Sequence, residues 1–563
     1  MKNLLASALV LALSSAAVLA QEPPAPFSVV EATIPEMQEA LRTGRVTSRE
    51  LVTQSLVRIA LYDQRLNAVM TVNRHALEEA DRLDRERAEG KIRGPLHGIP
   101  VALKDNIHTT NMPTTGGSLA FADLIPPYEA TVTKNLREGG AIILAKTGMT
   151  ELANWMSSTH MPTNYNSMHG YGLNPYDPRR DPRVATGDGR PVLYPGGSSS
   201  GIGTAVSFWA GNVGTETSGS ILSPSNGNML AGIKPTVGRV SRYGVIPITA
   251  DQDTPGPMAR TVADAAIMLG VLEGESPDPN DAATTRCKPP ANADYSVYLK
   301  KDGLRGARIG IPRAYYYEKF TPPGEKEPRG GLNPEQLESM NDAIAVMKAQ
   351  GATIIDPADI PSVVDPDADD NYLLWGICTS MDALKERKCS IDFAYGMERD
   401  FNAWLRSLGD AAPVKTLAEL RAWNQRHEKL GTLKYGQGLL DFSNAMDQEI
   451  FRERYEADRA RDIHLAGTHG IDEVMNAHKL DALIFPAGFG ASIAARPGYP
   501  TVIVPFGTVP NAPSQAFPEG FNAKPAPFGV SFTGLACSEP TLIELAYAFE
   551  QATKRRVPPP EFP

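Results

Sequence analysis

Residues 194–235 read YPGGSSSGIGTAVSFWAGNVGTETSGSILSPSNGNMLAGIKP and contain two clusters of glycine and serine, at 196–201 and 218–223. A run of small and apolar residues without lysine, arginine or histidine separates the two clusters. A solvent-exposed turn can use any polar residue, so small hydroxyl residues crowded among glycines indicate backbone that comes close to a ligand. We therefore expect both serine-bearing loops to contact a substrate.

Three other interpretations of this segment carry their own residue requirements. A flexible Gly-Ser linker is not normally followed at once by a sequence such as TAVSFW at 204–209. A phosphate-binding loop needs a lysine followed by Ser or Thr after its glycines, which GIGT at 201–204 lacks. The G-x-S-x-G elbow of α/β-hydrolases fits GSSSG at 197–201 with Ser199 as nucleophile, so an esterase stays open as an alternative. The histidine of that elbow would come from a downstream set: His427, His464, His469 and His478.

An apolar run of strand length ends in a lysine upstream of the two clusters. The residues GIPVAL at 98–103 precede Lys104, which places an ammonium group at the end of a predicted buried strand. Because lysine is rarely buried without a partner, the alternative is a lysine in a surface loop that pairs with Asp105. A second candidate is Lys146, which follows the predicted buried strand GAIILA at 140–145.

Four motifs in this order resemble the amidase signature family: GIPVALKDN at 98–106, PGGSSSG at 195–201, GTETSGSI at 214–221 and GIKPTVG at 232–238. Among its members the chain most resembles bacterial peptide amidases, which share the triple serine, the GTET form and QDTPGPM at 252–258. The likeness runs from about Ile34 to Arg556. It implies an α/β fold, with a mixed central β-sheet sandwiched by helices in a single large domain.

The resemblance also implies a Ser-cisSer-Lys triad. Ser220 would be the nucleophile, Ser198 the bridging serine and Lys104 the base. Lys146 is the rival base, but it precedes Thr-Gly and resembles the family's structural strand end. A lysine acts as a base only when neutral, so burial has to lower the pKa of Lys104 from about 10.4 to near 7 or 8. The oxyanion hole would be formed by the backbone N–H groups of Thr217, Ser218, Gly219 and Ser220.

The chain departs from the family pattern at positions near the substrate. The interval from Ser198 to Ser220 is 22 residues, a couple shorter than expected. Ser218 stands where many members have glycine, and Leu222 stands where many have arginine. An apolar residue at that position argues against a site built around a substrate carboxylate.

Residues 1–20 predict a secretory signal peptide. Lys2 is followed by an apolar run from Leu4 and by VLA at 18–20, and the run is too short and too interrupted by serine for a transmembrane helix. We expect an exported protein, periplasmic or secreted after cleavage near Ala20, with residues 21–563 as the amidase signature domain. Export disfavours the partner-dependent glutamine amidase of transfer-RNA amidation, and no cysteine follows the cleavage site to carry a lipid anchor.

Composition predicts neither a nucleic-acid partner nor a metal or cofactor. The formal net charge of −10 gives no basic surface for nucleic acid. The nine histidines lack an HExxH arrangement, and the four cysteines match no zinc spacing. In an oxidising compartment one disulfide can form, and Cys378 with Cys389 is the nearest pair.

Elsewhere the hydrophobic periodicity predicts alternating strands and helices, with a change of character over residues 365–480. Strands are predicted at 307–312, 352–355, 481–486 and 501–505, and a helix that Asn333 caps is predicted to begin at Pro334. Residues of about 365–480 are predicted to be a helical insertion, which by the resemblance walls the substrate channel. The overall prediction is an exported serine amidohydrolase that cleaves peptide amides or small carboxamides through an acyl-enzyme. The alternatives are an esterase that uses Ser199 and a non-catalytic binding protein on the same fold.

Overall fold

The computed structural model describes residues 26–159, 161–386 and 388–563. The predicted signal peptide lies outside these residues. Within them, eleven strands form one mixed sheet. In chain order the strands are β1 Val69–Val72, β2 Pro100–Lys104, β3 Ile142–Thr147, β4 Gly211–Glu216, β5 Ala231–Lys234, β6 Thr254–Ala259, β7 Arg308–Gly310, β8 Thr353–Ile355, β9 Ala482–Pro486, β10 Thr501–Val509 and β11 Ala526–Thr533. Across the sheet the order is β1-β3-β2-β4-β6-β5-β10-β11-β9-β7-β8.

The direction of the strands explains where a site can form. Strand β2 runs parallel to both β3 and β4, whereas β4, β6, β5, β10, β11 and β9 pair antiparallel along the middle of the sheet. Every residue of β2, β3 and β4 is buried. Their sequences are therefore suited to a sheet that is covered on both faces. Because parallel neighbours end at the same edge of the sheet, the carboxyl ends of β2 and β4 bring the residues that follow them together.

Helices cover the sheet on both faces, and several begin at caps that the sequence encodes. The described α-helices of eight residues or more are Ile34–Arg42, Ser48–Leu66, Ala76–Ala88, Thr131–Glu138, Val262–Glu273, Pro334–Ala349, Leu417–Arg426, Arg452–Ile463 and Glu539–Thr553. The predicted cap at Asn333 is confirmed, since its side chain accepts a hydrogen bond from the backbone N–H of Gln336. This satisfies one of the N–H groups that a helix start leaves free.

The predicted strands and helices are present, and the structure changes only their ends. The strand predicted at 307–312 is the shorter β7, and the strand predicted at 501–505 continues to Val509 in β10. The predicted mixed sheet sandwiched by helices is therefore confirmed.

The segment predicted to be helical, residues 365–480, consists mainly of short helices. It contains one pair of two-residue strands, in which Gly376–Ile377 lies parallel to Cys389–Ser390. Its aromatic side chains pack inward, as Trp404 does against Phe121 and Phe401. The shorter helices here are Met381–Glu386, Asp392–Gly396, Asn402–Ser407, Gly438–Asn444 and Asp472–His478.

Two disulfides link the four cysteines. The predicted pair Cys378–Cys389 is present, with Cα atoms 5.1 Å apart. The structure adds a second bridge, Cys287–Cys537, across a sequence separation of 250 residues. The expectation of one bridge was too low, because nothing in the local sequence shows that such distant cysteines meet.

The described part of the chain contains no helix with the length and apolar character that a membrane crossing requires.

Candidate active site

Three loops bring Lys104, Ser198 and Ser220 together at the carboxyl edge of the parallel strands. Lys104 is the last residue of β2, and Ser220 lies four residues beyond the end of β4. Ser198 lies in the loop before the short helix Ile202–Ala205, and the peptide bond between Gly197 and Ser198 is cis. The chain thus delivers one side chain from each of the three predicted motifs to one place.

A continuous line of hydrogen bonds joins these side chains. Lys104 Nζ lies 2.8 Å from Ser198 Oγ, and Ser198 Oγ lies 3.0 Å from Ser220 Oγ. Lys104 is fully buried and Ser198 is nearly so, whereas Ser220 is only partly covered. The amine therefore lies at the closed end of the line and Ser220 at the open end.

The surroundings of Lys104 favour its neutral form. Burial lowers its pKa to about 7, against a smaller opposing attraction from the carboxylates of Asp253 and Glu216. Neither carboxylate lies within ion-pairing distance of Lys104 among the described residues, so the cost of removing the ammonium from water dominates.

Thr215 orients the amine. Lys104 Nζ lies 2.9 Å from Thr215 Oγ1 and 3.3 Å from the Thr215 carbonyl oxygen, and it donates to both. A neutral amine has two N–H bonds and one lone pair. With both N–H bonds directed at Thr215, the lone pair faces Ser198 Oγ and can accept its proton. Asn106 steadies the arrangement, because its amide Nδ2 donates to Thr215 Oγ1 over 3.0 Å.

The loop before Ser220, residues 217–220, has backbone N–H groups that are free to bind an oxyanion. None of these four groups donates a hydrogen bond within the described residues. Gly219 has φ of +102°, a conformation that glycine adopts more easily than other residues. The predicted oxyanion hole of Thr217, Ser218, Gly219 and Ser220 stays a prediction.

Both ends of this oxyanion loop, residues 217–220, are held from outside. Beyond the loop, Glu216 Oε2 accepts the N–H groups of Ile221 and Leu222. At its start, Thr217 Oγ1 donates to Asp253 Oδ1 over 2.5 Å, and burial raises the pKa of Asp253 to about 7. Glu216 pairs with Thr254 in the β4–β6 ladder, so the residues just before β6 lie beside those just after β4.

The structure does not support Ser199 as a nucleophile. Ser199 is fully buried, its Oγ donates to the Thr215 carbonyl and accepts from the Thr215 N–H. Among the described residues, none of the four downstream histidines is hydrogen-bonded to it. The elbow alternative is therefore wrong in its geometry.

Lys146 points away from the three candidate side chains. In the parallel pairing of β2 with β3, Lys146 is opposite Leu103, and Lys104 is opposite Thr147. Because side chains alternate along a strand, the two lysines lie on opposite faces of the sheet. Lys146 lies 3.5 Å from Asp105, which shares its face. The alternative in which Lys104 pairs with Asp105 in a surface loop is therefore wrong.

Sequence reasoning quoted Thr215 and Asp253 inside its motifs but gave them no role, and it did not single out Asn106. The signal was their place in GTET, QDTPGPM and KDN, yet only the fold shows what they contact. Leu222, where many family members have arginine, is buried and packs with Ala491 and Ile503. No cation takes its place in this cluster of three.

Comparison with known proteins agrees with this geometry. The family model for Amidase matches residues 50–543. The chain belongs to the amidase family. A probable amidase from Arabidopsis thaliana is 33% identical over 540 residues, which is 95% of this chain and 92% of that protein. One component of a glutamyl-tRNA(Gln) amidotransferase from Synechococcus is 29% identical over 540 residues, 93% of this chain and 96% of that protein.

Among solved structures, the native peptide amidase from Stenotrophomonas maltophilia is 34% identical with a TM-score of 0.77. That match covers 94% of this chain and 98% of that one. The predicted family, the fold and the likeness to peptide amidases are thereby confirmed. This amidase is a hydrolase that acts on amide C–N bonds.

Proposed function

We propose that this amidase is an exported serine amidohydrolase that cleaves the carboxamide of peptide amides or small amides through Ser220, Ser198 and Lys104. The observation that carries the proposal is the line of hydrogen bonds from a buried lysine, whose pKa is lowered to about 7, to a partly open serine. At pH 7 about half of such lysines are neutral, so a base is available without a histidine.

The reaction follows from this line. Ser220 Oγ attacks the amide carbon while its proton passes to Ser198 Oγ and the Ser198 proton passes to Lys104 Nζ. The negative charge moves to the carbonyl oxygen, where the free N–H groups of the oxyanion loop can hold it. The proton then returns through Ser198 to the amide nitrogen, because that nitrogen leaves only when protonated. The C–N bond breaks, ammonia or an amine departs, and water hydrolyses the acyl-enzyme by the same relay.

Labelling with a serine-reactive fluorophosphonate tests the nucleophile. We expect Ser220→Ala to abolish labelling and ammonia release, and we expect Ser199→Ala to retain labelling. Labelling that survives Ser220→Ala would refute the role of Ser220. A wild-type protein that neither labels nor turns over any amide would favour the non-catalytic binding protein.

Two further parts of the proposal concern location and the substrate channel. The apolar run of residues 1–20 supports export, which N-terminal sequencing of the mature protein from the periplasm or the medium would test. The helical segment 365–480 is proposed to wall the substrate channel, since Tyr372, Trp375 and Ile377 border the same cavity as Ser218. The leucine at 222 supports a substrate without a carboxylate at that position.

A further inference from the structure

A cavity of about 310 Å³ lies beside the oxyanion loop. Ser218 and Gln252 border it on one side, and aromatic side chains border it on the others, among them Tyr315, Trp375 and Phe489. This volume and lining fit a small peptide-like group with an apolar side chain.

Gln252 is the polar group in this lining with one unused hydrogen-bonding end. It is almost completely buried, and its Nε2 donates to the Thr217 carbonyl oxygen over 3.1 Å. A carbonyl oxygen can only accept, so this contact fixes which end of the Gln252 amide is the nitrogen. The other end, Oε1, accepts no hydrogen bond from any described residue. A buried acceptor without a donor is costly, and a donor on a bound ligand would satisfy it.

The same amide also orients the oxyanion loop. The carbonyl of Thr217 and the N–H of Ser218 belong to one planar trans peptide and point in opposite directions. Holding the Thr217 carbonyl against Gln252 therefore turns the Ser218 N–H away from Gln252. Asp253 holds the Thr217 side chain at the same time. One glutamine thus links the orientation of the oxyanion loop to the wall of the cavity.

The two arginines that line the cavity are already engaged. Arg496 donates to Asp462 and to the Trp375 carbonyl, and Arg329 pairs with Glu325 and donates to the Leu373 carbonyl. Neither offers an unpaired charge to a substrate carboxylate. The cavity suits a neutral ligand that carries a hydrogen-bond donor.

We propose that Gln252 determines specificity by accepting a hydrogen bond from an amide N–H on the acyl side of the substrate. The site then selects N-acylamino carboxamides, the class to which the terminal amides of peptides belong, over carboxamides that lack this N–H. The inference rests on the proposed function, because it concerns the substrate of the same site.

The test compares two substrates by ammonia release. One is N-acetyl-L-leucinamide, and the other is its analogue in which an ester oxygen replaces the N–H. We expect wild-type kcat/KM to favour the first by about 10- to 100-fold, since the analogue leaves Gln252 Oε1 unpaired and places a second acceptor against it.

Two variants separate the two ends of the glutamine. Gln252→Leu removes both, and we expect the ratio between the substrates to fall to near 1. Gln252→Glu keeps an acceptor and loses the donor to Thr217, so we expect kcat to fall for both substrates while the preference persists. Gln350→Leu, an exposed glutamine at a helix end, is the matched control and should change neither rate nor ratio.

The outcomes distinguish this inference from the proposed function. A wild type that hydrolyses both substrates equally well, or a Gln252→Leu variant that is slower but keeps the full preference, overturns the assignment of Gln252 alone. A wild type that releases ammonia from no carboxamide overturns the proposed function and this inference with it.

Discussion

Replacing Lys104 with methionine should make the stability of the protein depend differently on pH. The pKa of Lys104 falls from 10.5 to about 7 on folding, and the cause is burial. At about 1.4 kcal/mol per pKa unit, this difference corresponds to about 5 kcal/mol that the folded state loses at low pH. Methionine fills a similar volume and carries no charge, so Lys104→Met removes this cost.

The sign follows from proton binding. Between pH 7 and 10.5 the unfolded chain holds the Lys104 proton and the folded chain does not. The wild type therefore gains stability, relative to Lys104→Met, as the pH rises through this window, by about 1.4 kcal/mol per unit. Between pH 7.5 and 9.5 the difference between the two unfolding free energies should change by about 2 to 3 kcal/mol. Urea denaturation of both proteins at each pH measures it.

The matched control is Lys134→Met, in which the lysine is exposed. Its stability relative to wild type should vary little over the same pH range. Because each comparison is a difference between proteins at one pH, other titrating groups cancel. A difference between wild type and Lys104→Met that stays constant from pH 7.5 to 9.5 would refute a lysine with a lowered pKa.

Three further outcomes follow from the structure. The wild-type kcat/KM for an amide should rise with pH and level off above about 7, falling about tenfold per unit below it, because only neutral Lys104 accepts a proton; a rate that declines as the pH rises through 7 would contradict this. Thr215→Val should lower kcat about 10- to 100-fold with little change in KM, because it removes one acceptor that orients the amine; an unchanged kcat would remove Thr215 from the relay. Replacing Cys287 and Cys537 together with alanine should lower the unfolding free energy by about 5 kcal/mol, as expected for a loop of 250 residues, and denaturation that is identical to wild type would show that the bridge does not constrain the unfolded chain.

The strands and the candidate triad could be predicted because their signals are local. Apolar runs such as the one before Lys104 form buried strands wherever the chain places them, since they lose contact with water by doing so. The two glycine and serine clusters are contiguous, so a resemblance was recognisable residue by residue. The partners of these groups could not be predicted, because each is contributed by a separate part of the chain.

The sequence by itself determined the family, the alternation of strands and helices, and the residues Lys104, Ser198 and Ser220. The tertiary structure alone decided between Lys104 and Lys146, because a parallel register offset by one residue sends neighbouring side chains to opposite faces of a sheet. It also decided that Gln252 meets the oxyanion loop and that Cys287 meets Cys537. Such contacts depend on which strands pair and which loops lie at the same edge, and no local stretch of sequence contains that information.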